Sequence, residues 1–488
     1  MNTGSKGYLG LDVGGTGAKA GVFDRDGRLL GFGHRTYEPV VTVEGQAEID
    51  IETIYAAARD SAREAIQASG VRIAALAVSS QGQTFVSLDG ANRPLHRAIL
   101  WYDSRAREEA EELQARVIEA GHGEPVPGIE IISSAPKIIW LRKRHPEAMA
   151  PATRYLLLPE YFSYRLTGES VTDPSTACST GLYVEDPPGY SSAALAAAEI
   201  ELSQVANVLD PGTPIGRIKP AMAEEWGLPA DSLLVTGTND QYAGALGAGN
   251  YRTGIVTATV GTCLALVTLT RDKPGNLAPG LFPGRFPIPP YWFLLAFAKT
   301  AGLVLDWFRR ELSPGLKLED LESQAAQSPP GSRGVTVLPH FDGVTSPVPN
   351  PNARGAFCNL TLQHTRGDMY RAILESLAFS LRDNLELLVA NGFPVDIIRS
   401  IGGGARSALW LQINADVTGM PVERPSVTEA AVLGAAMLAA YGNGDFSSLE
   451  GCSSSFYRIE RVFIPNPDRR EGYQSAYQRY QTILNALC

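Results

Sequence analysis

Short apolar runs broken by glycine turns predict a β-meander near the start of the chain. Residues 8–13 and 18–24 are strand-like, and the glycine-rich turn at 14–17 joins them. A second turn at 26–27 leads into another extended run at 28–32. Successive apolar runs joined by such tight turns are typical of antiparallel strands.

A helix and a buried strand follow the meander. Residues 51–69 predict a helix, because apolar side chains recur there at every fourth position. That apolar face consists of Ile54, Ala58, Ala62 and Ile66. Residues 73–78 are continuously apolar and predict a buried strand, which ends at the polar segment 79–83.

The second half of the chain repeats this pattern at low resolution. Residues 254–267 again predict strand, Gly-Thr turn and strand, and residues 397–407 predict a strand that leads into a helix. Helical periodicity follows at 410–417 and 429–441, and a terminal helix is expected at 469–486. We therefore expect two similar halves.

The boundary between the halves is predicted at 244–250, where three glycines weaken regular structure. This gives one domain of residues 1–248 and a second of residues 249–488. Segments 274–290 and 329–351 are rich in proline and glycine and predict surface loops.

Composition narrows the class of protein. A chain of 488 residues suits two or three domains, and 44% hydrophobic with 19% charged residues excludes overall disorder. The net charge of −10 argues against a nucleic-acid partner. No apolar run reaches the roughly 20 residues that span a bilayer. The polar start lacks a secretory signal and the five cysteines are scattered, so we expect a soluble cytoplasmic protein with reduced thiols.

The first glycine turn is a candidate phosphate site. The small residues Gly14 and Gly15 let backbone N–H groups approach a phosphate closely, and Thr16 adds a hydroxyl. Asp12, at the end of a buried strand, could hold Mg²⁺, and Lys19 could reach phosphate oxygens. The alternative is a hairpin turn with an incidental aspartate and a solvent-facing lysine.

A second turn, Gly261-Thr262, lies in the matching strand–turn–strand unit and favours the phosphate interpretation. Two such turns are expected if two halves hold one triphosphate. Neither turn matches a P-loop, and Gly402-Gly403-Gly404 lacks the acidic residue of a dinucleotide fold.

The chain resembles the FGGY carbohydrate kinases over most of its length. The most specific match is the segment 402–422, and further matches are the segments 353–375, 429–436 and 137–141. The matching residues include Gly402-Gly403-Gly404-Ala405-Arg406-Ser407, Trp410, Gln412, Ala415-Asp416-Val417, Gly419, Pro421-Val422, Ala353-Arg354-Gly355 and Lys137-Ile138.

The resemblance implies an α/β fold of two actin-like ATPase (ribonuclease-H-like) domains around a central cleft, with ATP and Mg²⁺ as cofactors. It places Asp12, Gly14, Gly15, Thr16, Gly261 and Thr262 along the phosphates. It places Gly402, Gly403 and Ala405 beside the adenosine, and Gly302 near the ribose and adenine. Gly302 could instead be a glycine required for helix packing.

The segment 236–241 carries the candidate chemistry, because it follows a strand and precedes a small-residue helix. Phosphorylation of a sugar hydroxyl needs a base that accepts the proton and holds the oxygen in line with the γ-phosphorus. By resemblance Asp240 is that catalytic base, and Gln241 orients the acceptor. From the residues alone, the N-cap of the helix is the favoured role of Asp240, because capping is a frequent use of aspartate.

Polar segments after buried strands are the expected sugar contacts, since hydrogen bonds to hydroxyls select strongly between substrates. By position in the family these are Gln81, Gln83 and Asp103, together with Trp101. Trp101 could instead pack in the core, and Asp103 could form a local surface ion pair with Arg105.

The polar segment 79–84, the candidate sugar loop, also limits the substrate. Gly82-Gln83 stands where glycerol kinases carry Arg-Glu, and the Met-His pair usual in xylulose kinases is absent, since Thr84-Phe85 supplies no histidine. A neutral ketose such as a xylulose-like pentulose is expected, with another polyol or a gluconate-type aldonate as the alternative. The expected ligands are this sugar and ATP, and a homodimer is compatible with the sequence.

Two other classes of function stay open. A non-catalytic sugar or nucleotide sensor could keep the fold, although it would not need both Asp12 and Asp240. An actin-like assembly ATPase is a third alternative, against which the segments 353–375 and 402–422 argue. The six histidines show no metal-ligand spacing, and Cys263 is expected to be a small buried hydrophobe.

Overall fold

Strands and helices are described by a computed structural model for residues 6–42, 45–121, 125–261 and 263–487. In chain order the strands are β1 Lys6–Val13, β2 Gly17–Phe23, β3 Leu29–Thr36, β4 Val40–Val41, β5 Ala47–Ile49, β6 Arg72–Ser80, β7 Phe85–Asp89, β8 Ala98–Ile99, β9 Ala152–Leu157, β10 Val171–Thr172, β11 Tyr183–Glu185, β12 Pro188–Tyr190, β13 Asn207–Val208, β14 Pro214–Arg217, β15 Leu233–Val235, β16 Gly254–Val260, β17 Leu264–Thr270, β18 Leu281–Arg285, β19 Trp292–Ala298, β20 Thr336–Leu338, β21 Ala356–Cys358, β22 Val395–Ile401, β23 Val422–Pro425 and β24 Ile459–Phe463.

The helices are α1 Ile51–Ser69, α2 Arg107–Ala120, α3 Ser134–Arg144, α4 Pro146–Met149, α5 Leu158–Thr167, α6 Pro174–Cys178, α7 Ser192–Ala198, α8 Pro220–Trp226, α9 Asp240–Gly247, α10 Gly302–Trp307, α11 Leu318–Ala326, α12 Arg366–Ala390, α13 Ala408–Thr418, α14 Ala430–Gly442, α15 Leu449–Phe456 and α16 Arg470–Leu487. Within the described ranges, no helix is long and apolar enough to cross a membrane.

The chain divides into two units. Unit 1 contains Met1–Gly247 and Ala431–Phe456, and unit 2 contains Ala248–Ala430 and Tyr457–Cys488. The predicted division after residue 248 falls one residue from the first crossing between the units. The return of 431–456 to unit 1 was not predicted.

Unit 1 is built on a six-stranded sheet with the order β14-β15-β6-β1-β2-β3. β1, β2 and β3 form the predicted antiparallel meander, and β6 and β15 continue the sheet in parallel with β1. Helix α1 packs on β2 and β3 through its apolar face. It begins where the Asp50 side chain accepts a hydrogen bond from the Glu52 N–H. It ends at Gly70, whose backbone has the left-handed conformation that glycine adopts readily.

Unit 2 repeats this arrangement in a seven-stranded sheet with the order β18-β19-β17-β16-β22-β23-β24. β16, β17 and β19 form an antiparallel meander, β22 and β23 run parallel to β16, and β24 is an antiparallel edge. The strand directions match those of unit 1, apart from the additional β18. The predicted fold class, two actin-like ribonuclease-H-like domains, is confirmed.

Close backbone approach explains why the chain returns to unit 1. A Cβ atom on Gly10 of β1 would lie 1.9 Å from the carbonyl oxygen of Val432 in α14. A Cβ atom on Gly434 would lie 1.9 Å from the carbonyl oxygen of Ala243 in α9. Only glycine permits these contacts, so the second half of the chain supplies a helix that packs directly on the first sheet.

Both predicted loops contain a strand, so neither is loop throughout. Residues 281–285 within the first proline-rich segment form β18. This strand pairs with β19 alone and lies at the edge of the sheet. An edge strand tolerates Pro283, which has no N–H to donate. Likewise, β20 lies within the segment 329–351, which was also predicted as loop.

Candidate active site

The first glycine turn of unit 1 is held by hydrogen bonds at its base. The Gly14 N–H donates to the Gly17 carbonyl at 3.0 Å, and the Tyr37 N–H donates to the Thr16 carbonyl at 3.0 Å. The Tyr37 hydroxyl donates to the Gly14 carbonyl at 2.5 Å. Burial, and then the nearby Asp12 carboxylate, raise the pKa of Tyr37, so its proton stays on the hydroxyl. The turn is therefore a fixed feature of the unit, with Thr16 exposed and Gly15 half-buried.

Asp12 and Lys19 lie next to this turn on neighbouring strands. Asp12 on β1 is in register with Lys19 on β2 and with Ser79 on β6, and residues in register share one face of a sheet. Among the described residues, no group of three or more acidic, histidine or cysteine side chains could hold a metal ion. A single half-buried carboxylate nevertheless fits Mg²⁺, which usually takes one or two carboxylates and completes its shell with phosphate and water.

Gln81 joins the turn to the loop after β6. Its N–H donates to the Val13 carbonyl at 3.1 Å, and its Oε1 lies 3.3 Å from the position of a Cβ on Gly15. The side chain is only 4% exposed, yet neither end of its amide has a hydrogen-bond partner in the described part of the chain. A buried amide without partners costs folding free energy, so its place beside a glycine turn indicates a polar ligand.

Asp240 lies at the first position of α9, after the short segment 236–239 that follows β15. The helix is capped by Asn239, whose Oδ1 accepts from the Gln241 N–H at 3.0 Å and whose carbonyl accepts from the Ala243 N–H at 2.9 Å. Asn239 is therefore the N-cap of α9 and Asp240 is not. The Asp240 carboxylate is not used for capping.

Burial raises the pKa of Asp240 to about 6, although hydrogen bonds from Gln241 oppose this. The Gln241 Nε2 donates to Asp240 Oδ1 at 3.4 Å, while its own Oε1 is buried without a partner in the described residues. A carboxylate with this pKa is ionised at neutral pH and still basic enough to accept a proton.

The candidate sugar loop and the segment 236–241, which carries Asp240, are neighbours in unit 1. Ser80 and Asn239 form a parallel β-bridge, and a Cβ on Gly82 would lie 3.3 Å from Asn239 Nδ2. Gln83 is half-buried beside them, and its N–H donates to the Ser179 hydroxyl at 3.2 Å. The structure thus brings Gly15, Gln81, Gln83 and Asp240 to one end of the unit 1 sheet.

Trp101 lies at the edge of this region. Its N–H donates to the Thr84 hydroxyl at 3.0 Å, and the residue is 36% exposed, which argues against a core role. Buried Lys137 donates to the Leu100 and Trp101 carbonyls at 3.0 and 2.9 Å. Burial lowers the pKa of Lys137 to about 7.

Asp103 was predicted to contact the sugar, but its side chain lies inside the fold. It is fully buried, and its carboxylate accepts from Arg105 at 2.7–3.0 Å and from the Ala47 N–H at 2.6 Å. Arg105 is buried as well, and its guanidinium lies over the Trp140 ring. The pair is therefore an internal structural ion pair and leaves no carboxylate surface for a sugar.

Unit 2 gathers the predicted nucleotide residues at the ends of β16 and β22. Gly261 follows β16, and its carbonyl accepts from the Gly302 N–H at 2.8 Å. Gly402 follows β22 with φ of +84°, where a Cβ would lie 2.8 Å from the Val260 carbonyl oxygen. Gly403 and the buried Ala405 form the short 3-10 turn that comes next. Thr262 lies outside the described residues.

Sequence reasoning missed three residues that shape this region. Tyr37 holds the first turn, and Asp173 and Ser179 contact the two loops around Asp240. Asp173-Pro174 is a common helix-start pattern that could have revealed α6. No sequence pattern indicates which loops that helix contacts.

Family models match most of the chain, and known structures match nearly all of it. The N-terminal domain model of the FGGY family of carbohydrate kinases matches residues 7–247, and the C-terminal domain model matches residues 256–442. The xylulose kinase of Haemophilus influenzae is 30% identical over 504 aligned positions, which cover 98% of this chain and 100% of that protein.

Two solved structures share the fold along nearly all of both chains. The ligand-bound xylulose kinase from Lactobacillus acidophilus has a TM-score of 0.87 and 26% identity, covering 99% of this chain and 98% of that one. The gluconate kinase from Lactobacillus acidophilus has a TM-score of 0.88 with the same identity and coverage.

Proposed function

Because the chain belongs to the FGGY family of carbohydrate kinases, we propose that it transfers the γ-phosphate of ATP to a hydroxyl of a xylulose-like ketose. The observation that carries this proposal lies within unit 1. The buried amide of Gln81, which has no partner in the described residues, lies beside the glycine turn, and its loop contacts the segment that carries Asp240. A pure structural role explains neither the amide nor the raised pKa of Asp240.

In the proposed reaction, Asp240 accepts the proton of the sugar hydroxyl as that oxygen forms its bond to the γ-phosphorus, and ADP leaves. Gln241 donates to Asp240 and orients the carboxylate. Gln81, Gln83 and Trp101 contact the sugar. Asp103 is omitted from this set, because its carboxylate is occupied inside the fold.

Each unit carries its own proposed nucleotide contacts on backbone-rich segments. In unit 1 these are Gly14, Gly15, Thr16 and Lys19, and in unit 2 they are Gly261 and Thr262, all proposed to contact phosphate. Gly302, Gly402, Gly403 and Ala405 are assigned to the adenosine. Magnesium, when bound through Asp12, supplies positive charge to the phosphate oxygens. Backbone N–H groups and one metal would suffice for an acidic protein to bind ATP.

The acceptor is the least constrained part of the proposal. Two observations favour a ketose with an aldonate as the alternative: the similarity to xylulose kinases, and the structural match to a gluconate kinase. In this loop Gln83 offers a neutral amide, which can both donate to and accept from a hydroxyl.

The test is a coupled ADP-release assay with xylulose, other ketoses, polyols and gluconate, each at the same concentration. ADP release that depends on xylulose supports the proposal, and release only with gluconate supports the aldonate alternative. Sugar binding without turnover by any acceptor would support the sensor alternative and overturn the kinase assignment.

A further inference from the structure

Helix α6 lies between the two loops that form the proposed sugar site of unit 1. Its N-cap is Asp173, whose Oδ2 accepts from the Ser175 N–H at 3.1 Å. The same oxygen accepts from the Thr238 hydroxyl at 3.0 Å. Thr238 lies two residues before Asp240, and both Asp173 and Thr238 are buried. One end of the helix is therefore bonded to the segment that carries the base.

The other end of α6 is bonded to the sugar loop. The Ser179 hydroxyl follows the helix and donates to the Thr176 carbonyl at 2.6 Å, so its proton is committed. Its oxygen accepts from the Gln83 N–H at 3.2 Å. The same serine lies against Gly82, where a Cβ would be 3.4 Å from the Ser179 Cβ.

Helix capping alone does not explain this arrangement. A capping aspartate needs only the bond to the N–H two residues along, which Ser175 provides. Asp173 additionally accepts from the hydroxyls of Ser175 and Thr238, and those two hydroxyls are 3.2 Å apart. A buried carboxylate with several donors holds them in a defined geometry, because charge-assisted hydrogen bonds are short and directional.

We propose that Asp173, through Thr238, and Ser179, through Gln83, are positioning residues that set the place of Asp240 relative to the sugar loop. This inference rests on the proposed kinase function, because it assigns a role at the same site. Loss of the hydrogen bond from Thr238 to Asp173 would let Asp240 shift while the sugar loop stays in place. Loss of the hydrogen bond from Gln83 to Ser179 would let the sugar loop shift while Asp240 stays in place.

The chain offers a matched control in Thr236. It is as buried as Thr238 and lies two residues earlier, but its hydroxyl donates to the Thr213 carbonyl at 3.0 Å and not to α6. Thr236→Val and Thr238→Val each remove one buried hydroxyl without changing side-chain volume. Only the second cuts the bond to Asp173.

The experiment measures kcat and the KM for xylulose, together with the melting temperature, for Thr238→Val, Thr238→Ser and Thr236→Val. Because small displacements of a catalytic group reduce the rate steeply, we expect Thr238→Val to lower kcat by about 10- to 100-fold, with the sugar KM changed by less than about threefold. Thr238→Ser keeps the hydroxyl and should restore kcat. Thr236→Val should lower the melting temperature by a similar amount but keep the wild-type kcat.

Loss of the hydrogen bond between Gln83 and Ser179 should change KM more than kcat. We expect Ser179→Ala to raise the sugar KM by about 3- to 10-fold and to change kcat less, because it releases the sugar loop rather than the base. If Thr238→Val does not fold, Ser175→Ala loosens the same cluster through a less buried side chain, and the same fall in kcat is expected.

Three outcomes would overturn the inference: a Thr238→Val kcat within about twofold of wild type, no rescue by serine, or an equal loss of kcat in Thr236→Val. Failure of the proposed function has a separate signature. In that case the wild-type protein itself would turn over none of the ketoses, polyols or gluconate, and the positioning role would fall with it.

Discussion

Replacing Asp240 with asparagine should abolish phosphoryl transfer and at the same time stabilise the protein. The carboxylate is half-buried, and desolvation raises its pKa from the usual 3.8 to about 6. A raised pKa in an acid means that the folded protein binds the proton more tightly than the unfolded chain does. Ionisation of Asp240 therefore costs folding free energy, and this cost grows between about pH 4 and pH 6 and is constant above that range.

The magnitude follows from the shift. About two pKa units correspond to ~3 kcal/mol, and partial exposure to solvent reduces this to ~1–2 kcal/mol. Asparagine has the same shape but no charge, so at pH 7.5 the variant should melt roughly 3–6 °C higher than wild type. This gain should shrink as the pH falls from about 6 towards 4. Loss of a general base should lower kcat by about 10²- to 10⁴-fold.

The assay pairs ADP release with thermal unfolding between pH 4 and pH 8. Wild-type kcat/KM should fall about tenfold for each pH unit below about 6, since only the ionised carboxylate accepts the proton. Asp26→Asn, in the exposed turn between β2 and β3, serves as the control and should change neither quantity. Turnover close to wild type in Asp240→Asn would refute the assignment of the base. An unchanged melting temperature would refute the desolvation argument.

Three further predictions, made with four substitutions, separate ligand-binding roles from structural roles. Gln81→Leu removes a buried amide without partners in the described residues, so it should stabilise the protein by about 1 kcal/mol in urea unfolding while lowering kcat/KM at least about tenfold. Asp103→Asn removes one of the two carboxylates paired with buried Arg105, the other being that of Glu48 at 2.8 Å, and should destabilise unit 1 by about 1–3 kcal/mol without changing the sugar KM of the folded enzyme; a raised KM would restore its predicted sugar contact. Gly402→Ala should be destabilising, because the added Cβ meets a carbonyl and the φ of +84° disfavours alanine, whereas Gly403→Ala has open space and should melt like wild type.

Local signals in the sequence predicted most of the sheet framework. Helix α1 was predicted at its observed bounds, because an apolar repeat lies between the cap Asp50 and the left-handed Gly70. The meander strands β1, β2 and β3 of unit 1 and β16 and β17 of unit 2 followed from apolar runs and glycine turns, whereas β19 was not predicted. β18 was missed because edge strands tolerate proline and glycine, and the local pattern cannot show that β19 lies alongside.

The candidate site depended more on the resemblance than on local pattern. From the residues alone a helix cap was the favoured role of Asp240, and only the structure shows that Asn239 provides the cap. Asp103 illustrates the opposite case, since a polar residue after a strand was expected to face substrate. Its partner Ala47 is distant in sequence, and no local pattern indicates that contact. The same holds for the bond between Asp173 and Thr238.

Buried polar groups that have no hydrogen-bond partner among the described residues lie at corresponding places in the two units. In unit 1 they include Ser79 at the end of β6 and Gln81 just beyond it. In unit 2 they include Thr259 near the end of β16 and Ser400 near the end of β22. Each such group costs about 1–3 kcal/mol when unpaired, and we expect a ligand bound at these strand ends to complete its hydrogen bonds. The repeat in the sequence therefore places such polar groups at equivalent strand ends, one set adjoining the proposed sugar loop and the other among the proposed nucleotide residues.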